Sequence, residues 1–302
     1  MVQIFSSNAC GAEAKVEFVR IDEDPAAVRL QTAITRYEKD GVTVDLIGSI
    51  HVADKGYFVD LKRRFASYDA LLFEMVGGEK YGRKQPGAEV PKPEKTLNTS
   101  SLREMYKMFA TSLGLASQQE EIDYNQPNFV HADLTDAEFL KMQAERGETV
   151  QEFALGKPAK DVKPAKDSKP AKSSKPANTP SDNDKLRKAM LSGDINLMKL
   201  QMVHSLGQDN NQIGAIAGGS FIVAGRNVRC LEVLEREIKD GTKNLGVFYG
   251  TDHFSDLTKR LEEKGFKRIK QEWLTAWDVP KPQQQVNPEP RPPTGEEQKK
   301  AA

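Results

Sequence analysis

Two stretches of the chain share one pattern of apolar and polar residues. Each is an apolar run that ends at a glycine, continues for two residues to a histidine, and then enters a segment with apolar residues at helical spacing. The runs are Val44–His51 and Leu245–His253. Such runs favour buried strands, and the spacing that follows favours amphipathic helices. A histidine just beyond the carboxyl end of a buried strand lies where open α/β sheets place their ligand sites.

Alternating apolar residues over 16–21 and 28–34 predict a pair of strands near the start of the chain. The apolar segment 70–76 follows the first predicted helix and predicts a further strand. Strand–helix–strand order implies parallel strands, because a crossover helix returns the chain to the same end of the sheet. The carboxyl ends of these strands therefore place His51 and Glu74 at one edge of the sheet.

Further helices and closing strands complete the predicted fold. Helical spacing is found over 102–115, over 135–146, from Leu186 onward, and after 220–227 with the apolar positions Val228, Leu231, Leu234 and Ile238; closing strands are predicted over 266–277. Glycines at 241 and 265 predict helix ends. The expected fold class is α/β, with a single mixed sheet built from two related halves and flanked by helices.

Two segments contain almost no residues that can build a core. A Lys-Pro-Ala unit recurs with a period of six from Lys157, so 156–184 is predicted to be a disordered basic linker, and the Pro-rich segment 280–302 a disordered tail. The expected organisation is one domain in two parts, 15–155 and 185–279, preceded by the short segment 1–14. The Gly- and Pro-rich loop over 77–99 leaves the predicted site, so it is interpreted either as a lid or as a plain insertion.

Composition narrows the classes of function. Among 302 residues, Lys plus Arg and Asp plus Glu both number 44, which indicates neither a nucleic-acid nor a membrane partner. The two cysteines, Cys10 and Cys230, form no CxxC motif, so a cysteine-ligated zinc site and a disulfide framework are excluded. No apolar run approaches the ~20 residues of a transmembrane helix. The small-x-small triplet 12–14 leaves two localisations open: an export signal that begins upstream, or a frayed N-terminus of a cytoplasmic protein.

The candidate catalytic or metal-binding residues are His51, Glu74, Arg226, Asn227 and His253. Two imidazoles and a carboxylate suit a divalent metal such as Mn, Co, Zn or Fe(II), which would lower the pKa of a bound water. The same residues can work without a metal if a histidine or Glu74 deprotonates water and Arg226 stabilises the developing negative charge. No GxSxG, P-loop or GxGxxG motif is present, which argues against the common serine hydrolases, P-loop NTPases and Rossmann dehydrogenases.

Each candidate also has a purely structural interpretation. A single histidine after a strand is often a hydrogen-bonded structural residue, and a carboxylate such as Glu74 often caps a helix or pairs with a base. The pair Arg226-Asn227 equally suits a helix N-terminus, because asparagine is a favoured N-cap. His131 is interpreted as a core or turn residue that would reach the site only through Asp133. His204 lies on a polar helical stretch and is treated as background.

The motifs together resemble one known group of proteins. They are Gly48-Ser49-Ile50-His51-Val52-Ala53-Asp54, Leu72-Phe73-Glu74, Arg226-Asn227 and Gly250-Thr251-Asp252-His253. This set is similar to that of the TraB/GumN/Tiki superfamily, which includes the pheromone-shutdown protein PrgY, the haem-associated ChaN proteins and the erythromycin esterases. The resemblance extends from about residue 42 to 264, interrupted by the Lys-Pro-Ala segment.

The resemblance implies a fold of two related halves, each with one GxxH motif, and a Mn- or Co-dependent peptidase site at His51, Glu74 and His253. The resulting hypothesis is a metal-dependent hydrolase, in the first place a peptidase that acts on short or flexible peptides, with a small-molecule substrate as the other option. His51 and His253 would be ligands, Glu74 a ligand or general base, and Arg226 and Asn227 would polarise the scissile carbonyl. The alternative is a non-catalytic protein that binds a peptide signal or haem with the same residues. A third interpretation is a scaffold that retains only the fold.

Overall fold

The computed structural model describes residues 16–83, 100–146, 182–204, 206 and 221–282. The predictions for the N-terminal segment 1–14, for most of the linker, and for the tail beyond residue 282 lie outside these residues. The lid hypothesis for the loop 77–99 also lies outside them, except for its first seven residues. The predicted linker, 156–184, extends too far toward the C-terminus, because a helix already begins at Asp182.

Nine strands and eight helices make up the described part of the chain. The strands are β1 (Val19–Glu23), β2 (Ala27–Lys39), β3 (Val42–Ser49), β4 (Val52–Ala53), β5 (Ala70–Phe73), β6 (Ala116–Ser117), β7 (Phe129–His131), β8 (Asn244–Gly250) and β9 (Lys267–Pro280). The helices are α1 (Lys55–Phe65), α2 (Ser100–Ser112), α3 (Gln118–Glu121), α4 (Asp136–Arg146), α5 (Asp182–Ser192), α6 (195–204), α7 (Phe221–Lys239) and α8 (Phe254–Glu263). A single 3₁₀ turn, Thr251–His253, joins β8 to α8.

Seven of the strands form one mixed sheet. Strand β2 pairs antiparallel with β1, β3 and β9, and the order then continues as β3, β8, β5 and β7, in which every neighbour is parallel. Strands β4 and β6 form a separate short pair. The predicted α/β class with a mixed sheet and flanking helices is confirmed. Strands β3 and β5 are parallel as expected, but β8 lies between them, so the two do not pair directly.

Helices cover both faces of this sheet, which explains why its central strands are apolar without alternation. Within one strand, successive residues enter opposite cores. Ile47 and Phe248 pack with α1, α2 and α6 on one face, whereas Leu46 and Val247 pack with α7 and α8 on the other. The sheet therefore has a hydrophobic core on each side, and its carboxyl edge is fixed from both faces.

Three details of the predicted elements are wrong. Helix α7 starts by Phe221, so Arg226 and Asn227 lie within it and not before it. Val228 is 42% exposed and does not belong to the buried face of that helix. The closing region forms one long strand, β9, in which Ile269 is 53% exposed. The helix ends at Gly241 and Gly265 are confirmed, because both glycines have positive φ angles.

In the part of the chain that the structure describes, every helix is too short or too polar to cross a membrane.

Helix α1 offers a matched test of this packing. Leu61 is fully buried between the helix and the sheet, whereas Val59 on the same helix is 52% exposed. We expect Leu61→Ala to lower the free energy of unfolding by about 2–5 kcal/mol, because it leaves a cavity in the core. Val59→Ala should change it by no more than about 0.5 kcal/mol. Urea denaturation of both variants measures the difference, and equal losses would contradict the packing described here.

Candidate functional site

The predicted site residues gather at the carboxyl edge of the four parallel strands. Glu74 follows β5, Asp133 lies two residues beyond β7, and His253 ends the 3₁₀ turn after β8. His51 lies two residues beyond β3. This edge is where α/β sheets place their ligand sites, since the loops that leave parallel strands converge there. Helix α7 crosses the edge from one face and supplies Arg226 and Asn227.

Arg226 is the centre of the buried part of the site. Its Nε donates to Asp133 Oδ1 at 2.9 Å, and its Nη2 donates to Asp133 Oδ2 at 2.6 Å. Nη2 also donates to Glu74 Oε1 at 2.6 Å. The Arg226 side chain is 12% exposed and that of Asp133 is completely buried. The two carboxylates raise the pKa of Arg226 and outweigh the opposing effect of burial, so the guanidinium stays charged.

The Glu74 carboxylate is ionised and held from two sides. Oε1 accepts from Arg226, and Oε2 accepts the backbone N–H of Gly250 at 2.6 Å. Burial on its own raises the pKa of Glu74. The charge of Arg226, the charge that His253 carries when protonated at low pH, and the Gly250 N–H together lower it to about 2. Glu74 is therefore a permanent negative charge at this edge, and not a carboxylic acid near neutral pH.

His253 is held in one tautomer by Asn227. The amide nitrogen of Asn227 donates to the His253 carbonyl at 3.1 Å and to Asp256 Oδ2 at 2.8 Å, so its oxygen must face the imidazole. That oxygen lies 2.6 Å from His253 Nδ1, which must then carry the proton. The unprotonated Nε2 faces Arg226 Nη1 at 3.5 Å and Glu74 Oε1 at 3.6 Å. Burial lowers the pKa of His253 to about 4, so the ring is neutral at pH 7.

His51 lies at the outer rim of the same site and is exposed to solvent. One face of its ring packs against Tyr106 of α2, with the two ring centres 4.6 Å apart. Its carbonyl accepts the backbone N–H of Gln118 at 2.8 Å. The surrounding protein lowers the pKa of His51 by desolvation, while Glu74 raises it. The two residues are thus electrostatic neighbours, although only Glu74 belongs to the buried network.

The structure separates the predicted residues into three groups. Glu74, Arg226, Asn227 and His253, joined by Asp133, form one hydrogen-bonded cluster, which we call the inner network. His51 lies beside the inner network without a direct hydrogen bond to it. The other two histidines stand apart: His131 bonds the Met75 carbonyl through Nε2 at 2.7 Å, in agreement with its structural interpretation, and His204 lies on α6.

Two residues of the site were not predicted as members. The sequence interpretation includes Asp133 only as a link between His131 and the site, and it does not include Gln118. Both belong to short segments without a motif, and both act on residues distant in sequence; Asp133 and Arg226 are 93 positions apart. A buried arginine needs a carboxylate partner, but a sequence with 44 acidic residues does not identify which one.

The donor set fits a divalent metal at His51, Glu74 and His253 only if Arg226 moves. Its guanidinium already supplies the positive charge between Glu74 Oε1 and His253 Nε2, and a second cation placed there would be repelled. Among the described residues, no group of three or more His, Cys, Asp or Glu side chains is arranged to hold a metal ion. The metal site stays a prediction.

No protein-family model, curated protein or solved structure matches this chain. The resemblance to the TraB/GumN/Tiki superfamily therefore stays a prediction based on the motifs.

The pair of Asp133 and Arg226 can be tested by stability. We expect Asp133→Asn to lower the free energy of unfolding by about 3–5 kcal/mol, because a buried guanidinium loses its bidentate partner. The exposed pair formed by Asp60 and Arg63 on α1 serves as the control, since Asp60→Asn should cost less than about 1 kcal/mol. Chemical denaturation measures both variants. A loss at Asp133 as small as that at Asp60 would show that the guanidinium does not depend on this partner.

The pKa of His253 predicts a dependence of stability on pH. Between its ordinary pKa of 6.5 and its folded value of about 4, the unfolded chain binds a proton that the folded protein excludes. The free energy of unfolding should therefore fall as the pH decreases from 6.5 to 4, by about 3 kcal/mol from this residue. His253→Gln should remove that part of the slope, whereas His204→Gln should retain it. Unfolding curves between pH 7 and 4 provide the test, and equal slopes in both variants would contradict the assignment.

Proposed function

We propose that this protein is a hydrolase that acts on a peptide or a small acyl compound at the carboxyl edge of its parallel strands. The observation that supports this most strongly is the pairing of an exposed, neutral imidazole with a buried charge network. His51 is accessible to water and to a substrate, whereas Glu74 and Arg226 are fixed in place beside it. Such fixed charges need no reorganisation as a reaction proceeds, which is the source of electrostatic catalysis.

His51 is the residue suited to take a proton from water. Its lowered pKa leaves the ring neutral at pH 7. The ionised Glu74 favours the positive charge that the ring acquires when it accepts that proton, because Glu74 raises the pKa of His51. A general base of this kind contributes about 10²–10⁴-fold to the rate.

Arg226 is the residue suited to stabilise the negative charge that develops on the attacked carbonyl oxygen. Its Nε and Nη2 are bound to carboxylates, whereas Nη1 has, within the described residues, a single contact of 3.5 Å with His253 Nε2. Nη1 is thus the donor that a substrate oxygen can recruit. Asn227 acts indirectly, because it orients His253 and thereby the face that His253 presents to Arg226.

The metal-dependent form of this hydrolase, as the motifs predict it, uses the same residues differently. A divalent ion at His51, Glu74 and His253 would supply a Lewis acid and lower the pKa of a bound water. This form requires Glu74 to release Arg226. The response of activity to chelation therefore distinguishes the two forms.

A binding protein without catalysis is the second candidate. His51 is exposed and packs against Tyr106 on one face of its ring, so it would be the residue that binds haem iron or a hydrogen-bonding group of a peptide. The inner network would then have only a structural role.

We expect purified protein to cleave a member of a mixed peptide library or an aryl ester, and His51→Ala and Glu74→Gln to reduce the rate by about 10²–10⁴-fold. His204→Ala, outside the site, is the matched control and should retain full activity. Each protein is assayed after chelation and again with added Mn, Co or Zn. Activity that survives chelation supports the metal-free form, and activity restored only by a metal supports the other.

Well-folded wild-type protein that cleaves nothing under any of these conditions would contradict the hydrolase. A titration with haem then tests the second candidate, a protein that binds haem without catalysis. A Soret band that is lost in His51→Ala but kept in His204→Ala would support haem binding, and an unchanged spectrum would exclude it.

A further inference from the structure

Gln118 lies directly against His51. The short strand β4 follows His51 and pairs with β6, in the register Val52 to Ser117, which brings the next residue, Gln118, beside the histidine. Its backbone N–H donates to the His51 carbonyl at 2.8 Å. Gln118 is only 7% exposed, so its amide group needs partners inside the protein.

The amide of Gln118 has one satisfied end and one unsatisfied end. Its nitrogen donates to the hydroxyl of Tyr124 at 2.9 Å, and Tyr124 is itself buried. Its oxygen is buried and has no hydrogen-bond partner of normal geometry within the described residues. A buried acceptor without a donor costs free energy, so a donor that can approach it will be held there. The imidazole of His51 supplies such a donor, and contact with Gln118 favours a proton on that ring.

The second histidine of the site shows what this arrangement does. There, the buried amide oxygen of Asn227 accepts a hydrogen bond from His253 Nδ1, and the amide nitrogen donates to other acceptors. Gln118 shares the committed nitrogen, which donates to Tyr124, and its buried oxygen is available to accept a hydrogen bond. The two histidines thus each have a buried side-chain amide as a neighbour.

We propose that Gln118 is a positioning residue for the hydrolase proposed above: its Oε1 accepts a hydrogen bond from one ring nitrogen of His51 and leaves the other nitrogen unprotonated for the substrate water. The imidazole is then fixed in one tautomer and one orientation. This inference rests on the proposed function for its catalytic part only. The hydrogen bond itself is a structural property that can be measured without any substrate.

The test compares Gln118→Met, which removes the acceptor at similar volume, with Gln118→Glu, which keeps an acceptor that the Tyr124 hydroxyl can still contact. Chelated protein labelled with ¹⁵N in its four histidines is studied by NMR at pH 8, and the His51 signals are assigned with His51→Ala. The ¹⁵N shifts of the two ring nitrogens report the tautomer. We expect a single His51 tautomer in the wild type and in Gln118→Glu, and a mixture in Gln118→Met.

Identical His51 shifts in wild type and Gln118→Met would overturn the inference. The His253 signals act as the internal control, because they should be unchanged in both Gln118 variants if the fold is intact.

For the reaction, Gln118→Met should lower kcat about 10-fold or more with little change in KM, and Gln118→Glu should recover part of the lost kcat. A changed tautomer in a protein without hydrolase activity would support Gln118 as a positioning residue and contradict the proposed function alone.

Discussion

The arrangement of the carboxyl edge depends on one buried guanidinium. Arg226 joins helix α7 to the ends of β5 and β7 through Glu74 and Asp133, and neither the cation nor the two carboxylates would be tolerated there alone. Two negative charges face one positive charge. The remaining lone pairs are met by backbone donors, since the N–H of Leu134 bonds Asp133 Oδ1 and the N–H of Gly250 bonds Glu74 Oε2. Side chains and backbone together stabilise a network that carries a net negative charge.

The glycines of the two GxxH motifs differ in what they contribute, although neither is required for its backbone conformation. Neither has a positive φ angle. A Cβ on Gly48 would come within 2.8 Å of the Thr251 side chain, so the first motif leaves room for the second. A Cβ on Gly250 would lie 3.4 Å from the Glu74 carboxylate, which is an ordinary contact distance, so the small size is required at Gly48 and not at Gly250. Gly48 thus permits the close contact between the end of β3 and the turn after β8, where the register pairs Ser49 with Gly250.

Local patterns predicted most of the elements and little of the network. Strands β3, β5 and β8 and helices α1 and α8 were recognisable, since burial on both faces leaves apolar runs and helices leave a period of 3.6. The position of β8 between β3 and β5 was not predicted, because the pairing of strands far apart in sequence depends on packing of the whole sheet. Glu74 and Arg226 are recognisable one by one as candidates. Their 2.6 Å contact and the role of Asp133 are not, because these also depend on how distant parts of the chain pack. Arg226 also lies outside its helix in the prediction, whereas the structure places it inside α7.

The same short motif produces two histidines with different surroundings, and this difference comes from the elements that pack over them. Helix α7 covers His253 and closes it within the inner network, where it contacts protein groups and is 4% exposed. Among the described residues, His51 contacts Tyr106 of α2 and Gln118 of α3, and it is exposed to solvent. A buried imidazole is suited to orient neighbouring charges, whereas an exposed imidazole is suited to transfer protons. Under the proposed function, His253 helps to hold Arg226 in place, whereas His51 meets the substrate.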